Sequence, residues 1–199
     1  MQIPICSTAP NFQAAAVMPD GEINENFQLS NYNGKYILLF FYPMDFTFVC
    51  PSEIIAHHNR IKAFEERQTQ VIGISIDSQF THHAWRNTPR ENGGIGPIAF
   101  PLVADITHEI VNAYGISHPD GVALRATFLI DQSGIIQHST VNNLPLGRNV
   151  DEALRLIDAL QFSEKYGEVC PAGWEKGDEG MKATKEGVSE YLGNNSTKL

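Results

Sequence analysis

The stretch KYILLFFYPMDFTFVCPSE, residues 35–53, joins a strand to a helix and decides the fold. Its first part, residues 35–42, contains an uninterrupted apolar run that follows Lys35, which is typical of a strand buried on both faces. Pro51 follows Cys50, and a proline is tolerated in a helix only within the first turn. The sequence therefore predicts that Cys50 lies at a helix start beyond the carboxyl end of a buried strand, where sites form in open α/β sheets.

Strand-like and helix-like segments alternate along the rest of the chain. Strand-like runs cover residues 12–17, 23–29, 70–77, 99–104, 126–130 and 135–141. Helix-like runs cover residues 52–67, 78–87, 105–114, 149–162 and 184–192. This order predicts an α/β fold that is parallel in its first half and carries an antiparallel hairpin near its end.

Several local signals predict where helices begin. Ser78 and Asp105 are the expected caps of the helices that follow them, and Asn149 with Glu152 forms a capping-box pair. The helix over residues 52–67 is expected to present one face made up of Ile54, His58, Ile61 and Phe64.

The composition changes after Ser163, where the chain becomes rich in Gly, Lys and Glu. A 199-residue chain that is 42% hydrophobic is long enough for one substantial core. We therefore expect a folded domain over residues 1–163 and a C-terminal arm over residues 164–199.

Charge and hydropathy exclude several classes of protein. The chain has 14 basic and 23 acidic residues and no basic run, so nucleic acid is not an expected partner. The longest apolar run, residues 36–42, is far shorter than a membrane span. The first residues contain neither a basic segment nor an apolar one, unlike a secretory signal. A cytoplasmic location, in which thiols are kept reduced, is expected.

Neither a metal site nor a cofactor is expected. Three cysteines, Cys6, Cys50 and Cys170, are too few for a four-thiolate zinc site. Adjacent histidines, at residues 57–58 and 82–83, point about 100° apart on a helix and cannot chelate as an i, i+4 pair does. Cys6 matches no motif and is interpreted as a partly buried spare thiol.

Cys50 is either a small buried hydrophobe, as most cysteines are, or a nucleophile. A nucleophilic cysteine must be ionised, and an ordinary thiol, with a pKa of about 8.5, is only about 3% ionised at pH 7. A helix start contributes about 0.3–2 kcal/mol towards ionisation. Making Cys50 mostly thiolate requires about 3.4 kcal/mol, so a cation from elsewhere is needed. Phe46 and Phe48 could exclude water from such a site.

The pattern Pro43-x-x-x-Thr47-x-x-Cys50 resembles the active-site signature of peroxiredoxins. Its surroundings resemble the typical two-cysteine subgroup, the alkyl hydroperoxide reductase C and thioredoxin peroxidase type. Further resemblances follow in the same order at residues 71–85, 124–131, 142–152 and 168–174. The resemblance implies a thioredoxin-like fold with a central mixed sheet flanked by helices and a C-terminal arm. It also implies a thiol-dependent peroxidase that reduces hydrogen peroxide and organic hydroperoxides.

The resemblance assigns a role to each matching residue near the helix start. Cys50 would be the peroxidatic cysteine, which attacks the hydroperoxide and becomes a sulfenic acid. Thr47 would hydrogen-bond the incoming peroxide, and Pro43 would shield the thiolate.

Two arginines and a glutamate complete the implied site. Arg125 would be the missing cation, which stabilises the Cys50 thiolate and polarises the O–O bond. Glu53 would orient Arg125, and Arg148 would complete the network. Without the other matches, both arginines would be interpreted as ordinary surface or ion-pair residues.

Cys170 lies in the arm and resembles the family's resolving cysteine. A sulfenic acid is oxidised further unless a thiol traps it. A cysteine on an arm can reach a second subunit, so an intersubunit disulfide is expected, and the first turn of the Cys50 helix must then unwind. The resemblance also implies a homodimer that assembles into a decamer, and thioredoxin or a flavoprotein disulfide reductase as the electron donor.

One motif departs from the family pattern. Gly93-Gly94-Ile95-Gly96 resembles a loop of easily overoxidised members, in which it acts with a C-terminal Tyr-Phe pair. Here Tyr191 is followed by Leu192, which lacks an aromatic ring. We therefore predict intermediate sensitivity to sulfinic acid formation.

Two other functions remain open from the residues. A redox-linked holdase chaperone, or a role in peroxide signalling, would accompany or replace peroxidase activity. For a chaperone, the apolar Phe46, Phe48 and Phe80 could mark a dimer–dimer contact, although core packing explains them equally well. A thioredoxin-like disulfide exchanger is disfavoured because no second cysteine lies near Cys50 in the sequence.

Overall fold

A computed structural model describes residues 3–197, so the outermost two residues at each end lie outside it. The chain divides into two compact units, residues 1–150 and residues 151–199. These compact units do not test the predicted division into a domain over residues 1–163 and an arm over residues 164–199, which stays a prediction. Within the described residues, no helix is both long enough and apolar enough to cross a membrane.

The first unit contains a seven-stranded mixed sheet. Its strands are β1 Gln13–Val17, β2 Ile23–Gln28, β3 Tyr36–Phe41, β4 Thr69–Ser75, β5 Leu102–Ala104, β6 Arg125–Ile130 and β7 Ile136–Asn142. Their order across the sheet is β2-β1-β5-β4-β3-β6-β7. The pairs β3–β4 and β4–β5 are parallel, and the other pairs are antiparallel. The predicted mixed α/β fold is confirmed.

The central strand β3 is buried because it is apolar on both faces. All six of its residues are buried, as the apolar run within residues 35–42 predicts, and all six residues of β6 are buried as well. One face of the sheet packs on a cluster that includes Leu39, Phe41, Ile72, Ile74, Tyr114, Phe128 and Ile130. This packing holds the carboxyl end of β3, and so the start of the following helix, in a fixed place.

The helical region after β3 differs from the prediction. Two helices, α1 Cys50–Asn59 and α2 Ile61–Glu66, replace the single predicted helix, with a break at Arg60. His57, not His58, is buried in α1, so the predicted face is wrong at that position.

The next two helices begin in different ways. In α3, Gln79–Asn87, the Ser78 side chain accepts a hydrogen bond from the Thr81 N–H, which confirms the predicted cap. The next helix, α4 Glu109–Ala113, is shorter than predicted and follows His108, which has a left-handed backbone with φ of 61°. The Asp105 carboxylate nevertheless accepts from backbone N–H groups in the first turn of α4, as a cap does.

The second unit contains two helices, α5 and α6. The α5 helix, Val150–Tyr166, starts in the first unit's last residue and runs four residues beyond its predicted end. The α6 helix, Lys185–Asn195, is capped by the Thr184 hydroxyl, which accepts from the Gly187 N–H. The ring centre of Phe162 lies 4.9 Å from that of Tyr166 and 4.9 Å from that of Trp174.

Candidate active site

Cys50 is the first residue of α1, and Pro51 is the second, as predicted. Its side chain is fully buried. The Thr47 hydroxyl lies 3.0 Å from Cys50 Sγ and 2.7 Å from the Met44 carbonyl oxygen. Because a hydroxyl has one proton, it donates to only one of these acceptors at a time. Thr47 can therefore turn its proton towards the sulfur or towards the backbone.

Arg125 brings a buried cation to Cys50. This residue begins β6, next to β3 in the sheet, and its side chain is only 4% exposed. Its Nη1 donates to Cys50 Sγ at 3.3 Å and to Glu53 Oε2 at 2.8 Å. A guanidinium this close in a water-poor place favours a negative charge on the sulfur.

Glu53 lies between two arginines. One turn along α1 from Cys50, its carboxylate binds Arg125 and also Arg148, whose Nε and Nη2 donate at 2.8 and 2.9 Å. Burial alone raises the pKa of Glu53, but hydrogen bonds and charge from Arg148, with the charge of Arg125, hold it below its usual value. Glu53 is therefore an anion that fixes both guanidinium groups.

Arg148 is held from several directions. Besides Glu53, its Nη1 donates to the Ala126 carbonyl oxygen and to the Thr127 hydroxyl. Its guanidinium carbon lies 5.4 Å from the centre of the Phe40 ring. The five side chains predicted to act together near the sulfur, those of Cys50, Thr47, Glu53, Arg125 and Arg148, thus form one connected group.

Two features of this group could not be predicted from side-chain identities. The Leu144 carbonyl oxygen accepts from Arg125 Nε at 2.6 Å, and the Arg148 N–H donates to Glu53 Oε1 at 2.9 Å. Both are main-chain groups, which carry no residue-type signal. His57 was also missed. Its ring stacks on that of Phe40, with ring centres 4.2 Å apart. Burial is the main cause that lowers the pKa of His57 to about 4, and the charge of Arg148 adds to it.

The aromatic residues near the site are more exposed than expected. Phe48 is 96% exposed and Phe80 is 66% exposed, so core packing does not explain them. Phe46, which is half-exposed, has a left-handed backbone and lies 5.7 Å from the Trp85 ring. Phe48 does not exclude water within this subunit. Pro43 is buried, and its predicted shielding role stays a prediction.

Cys170 lies in the second unit, in the segment between α5 and α6. Its thiol donates to the Ala159 carbonyl oxygen at 3.4 Å. Burial raises the pKa of Cys170, and the charge of Arg155 partly opposes this rise. All three cysteines are free, and Cys6 is exposed, so its predicted partial burial is wrong.

A largely buried polar cluster, with carboxylates that follow β3 and β4, has metal-ligand residue types. Donor atoms of Asp45, Asp77 and His82 lie within 4.8 Å of one another. However, Asp45 Oδ2 and His82 Nδ1 are 2.7 Å apart, whereas tetrahedral zinc ligands stand about 3.3 Å or more apart. Tyr42 and Ser75 also donate to these carboxylates. The cluster is therefore a satisfied hydrogen-bond network.

Comparisons with known proteins identify the family of this chain. The profile of the AhpC/TSA family matches residues 5–139, and that of the C-terminal domain of 1-Cys peroxiredoxin matches residues 159–194. Alkyl hydroperoxide reductase C of Buchnera aphidicola subsp. Schizaphis graminum is 58% identical over 190 residues, which are 94% of this chain and 96% of that protein. Peroxiredoxin-2 of Macaca fascicularis is 52% identical and covers 92% of each chain.

A solved structure is similar over nearly the whole chain. The reduced 2-Cys peroxiredoxin of Plasmodium vivax has a TM-score of 0.93 and 52% identity, covering 96% of this chain and 98% of that one. The fold is thus the thioredoxin-like fold of a thiol-dependent peroxidase. The chain belongs to the AhpC/TSA family of peroxiredoxins.

Proposed function

We propose that Cys50 is the peroxidatic cysteine and that Thr47, Glu53, Arg125 and Arg148 form its catalytic setting. One observation carries this assignment: a buried guanidinium, itself fixed by Glu53, donates to Cys50 Sγ at 3.3 Å. Of the described cysteines, Cys6 has no such contact, and Cys170 has a thiol whose pKa is raised. The thiolate is the reactive form, so Cys50 is the nucleophile.

The first step is a displacement at oxygen. The Cys50 thiolate attacks the terminal oxygen of a hydroperoxide, ROOH, so that an S–O bond forms and the O–O bond breaks. The leaving RO⁻ takes a proton and departs as ROH, and Cys50 becomes a sulfenic acid. Negative charge grows on the leaving oxygen, and the Arg125 guanidinium and the Thr47 hydroxyl are donors that stabilise it.

The second step closes a disulfide. The Cys170 thiolate of a second subunit attacks the Cys50 sulfenic sulfur, an S–S bond forms and hydroxide leaves, to be protonated to water. Because Cys50 is fully buried, the first turn of α1 must open before this attack. A dithiol donor, either thioredoxin or a flavoprotein disulfide reductase, then returns two electrons, which suits a reducing cytoplasm.

Cysteine variants test both steps. Cys50→Ser is expected to abolish peroxide consumption, and Cys170→Ser to allow one oxidation per subunit without recycling. Non-reducing electrophoresis after one equivalent of hydrogen peroxide should give a disulfide-linked dimer in the wild type and in Cys6→Ser, the matched control. A linked dimer in Cys170→Ser, or turnover in Cys50→Ser, would contradict the assignment.

A homodimer that assembles into a decamer is the proposed working form. The exposed Phe46, Phe48 and Phe80 support such an assembly, because large exposed aromatic side chains often mark contacts between proteins. Phe80→Ser should give the reduced protein a smaller assembly, which sedimentation velocity detects as a lower mass of the particle. A holdase role rests on the same exposed rings. Chaperone activity that survives Cys50→Ser would favour it as an independent function.

A further inference from the structure

The main chain of one turn holds two charged groups of the active site. The turn, residues 143–148, links β7 to α5. Its Leu144 carbonyl oxygen accepts from Arg125 Nε at 2.6 Å, and its Arg148 N–H donates to the Glu53 carboxylate at 2.9 Å. The direction in which Arg125 points therefore depends on the shape of this turn.

Asn142 stands at the start of the turn and beside Arg125. It is the last residue of β7 and pairs directly with Arg125 across the antiparallel strands. Residues in such a pair project from the same face of the sheet, with Cβ atoms about 5 Å apart. The Asn142 side chain is thus a neighbour of the Arg125 side chain.

The Asn142 amide closes the turn. Its Nδ2 donates to the Leu146 carbonyl oxygen at 3.1 Å, and this is the contact by which the side chain acts on the turn. Inside the turn, Asn143 accepts two short-range hydrogen bonds. Its side-chain Oδ1 accepts from the Leu144 N–H, and its carbonyl oxygen accepts from the Leu146 N–H. The Asn142 bond ties Leu146, in the middle of the turn, back to the end of β7, whereas the Arg125 and Arg148 side chains link the turn to β6.

The turn also approaches the helix start. A Cβ atom added at Gly147 would lie 3.3 Å from Val49 Cγ1, and Val49 is the residue before Cys50. The rest of the turn is largely exposed, so the Asn142 bond is a main restraint on Leu146. When this bond is lost, the turn is less firmly held, and the Leu144 carbonyl is less firmly placed against Arg125.

We propose that Asn142 is a positioning residue for Arg125. It fixes the turn whose main chain aims the guanidinium at Cys50 Sγ. The inference rests on the proposed function, because it matters for catalysis only if Arg125 acts on Cys50. Asn142 touches neither the sulfur nor the substrate, and its effect is transmitted by the Leu144 carbonyl.

The expected effect is kinetic and pH-dependent. Small misplacements in an active site cost up to about a hundredfold in rate, so Asn142→Ala should slow the first oxidation of Cys50 about tenfold. With Arg125 less firmly aimed, ionisation of the sulfur is less favoured, and the midpoint of the pH–rate profile should move to higher pH. A purely structural role would leave this midpoint in place.

The test uses the full chain in its reduced form. Stopped-flow tryptophan fluorescence measures the rate of Cys50 oxidation by hydrogen peroxide across pH, for the wild type, Asn142→Ala and Asn142→Asp. The aspartate keeps the size of the side chain but has no donor for the Leu146 carbonyl. Thr140→Ala, an exposed change on the same face of β7, is the matched control and should behave as the wild type.

Arg125→Lys distinguishes the role of Asn142 from the role of Arg125 itself. If Arg125→Lys is slow while both Asn142 variants match the wild type in rate and midpoint, the role of Asn142 is overturned and the proposed function stands. A slower Asn142→Ala with an unmoved midpoint also overturns it. If Arg125→Lys itself matches the wild type, the proposed role of Arg125 fails.

Discussion

Arg125 Nη1 lies 3.3 Å from Cys50 Sγ, and both side chains are buried. A buried charge without a partner is costly. The Arg125 guanidinium has two further partners, since Glu53 and the Leu144 carbonyl oxygen also accept hydrogen bonds from it. The same arrangement leaves one N–H of Arg125 directed at the sulfur.

Loss of the Thr47 hydroxyl should slow peroxide reduction without unfolding the protein. Removing one donor to a developing anion costs about 100–1000-fold in rate, so Thr47→Val should fall in that range. Thr47→Ser keeps a hydroxyl and should retain most of the activity. The rate of the first oxidation measures both. Equal rates for the valine and serine variants would show that the hydroxyl is not a donor in this step.

Loss of the Glu53 charge should destabilise the folded state in a pH-dependent way. Glu53→Gln leaves two buried arginines without their carboxylate, a change that typically costs about 3–5 kcal/mol. Because the folded pKa of Glu53 lies below its usual 4.5, the carboxylate contributes its full stabilisation above about pH 4.5 and loses it as pH falls through the folded value.

Thermal unfolding of the wild type and Glu53→Gln measures this difference. The gap between their midpoints should be widest near neutral pH and should narrow as the solution is acidified below the usual pKa of glutamate. Glu152→Gln, which removes an exposed ion pair with Arg155, is the control and should change stability by less than about 1 kcal/mol. A gap that widens on acidification would contradict the assigned direction of the pKa shift.

Disulfide formation should accelerate with rising pH. Burial raises the pKa of Cys170 above its usual value, and its thiolate is the attacking form, so the rate should rise about tenfold per pH unit near neutrality. Arg155 partly opposes the raised pKa, so Arg155→Ala should be slower than the wild type and Arg155→Lys close to it. Quenched non-reducing gels measure the rate. A pH-independent rate would instead indicate that opening of α1 is limiting.

The sequence predicted the sheet and the reactive helix start because both depend on strong local signals. The apolar run in residues 35–42 fits a buried strand, and a proline after Cys50 fits the first turn of a helix. The α1–α2 break at Arg60 has no such signal, since neither Gly nor Pro marks it. The predicted helix face was also wrong at His58, because His57 is the buried histidine of α1.

The charged residues of the site were predictable only through resemblance to a family. Arg125 is distant from Cys50 in sequence, and nothing in its local pattern distinguishes it from a surface arginine. The exposure of Phe48 could not be foreseen either, because its neighbours suit a pocket wall as well as a surface. The Leu144 carbonyl was invisible to sequence reasoning, since every residue has one.

Titration of Cys50 measures how strongly Arg125 stabilises the thiolate. In a Cys6→Ser, Cys170→Ser background, Cys50 is the remaining thiol, and its ultraviolet thiolate absorbance can be followed against pH in the reduced native protein. Because the Arg125 guanidinium donates to the sulfur, we expect Arg125→Lys to move the absorbance step to higher pH. An absorbance step at the same pH in both proteins would contradict the role of Arg125.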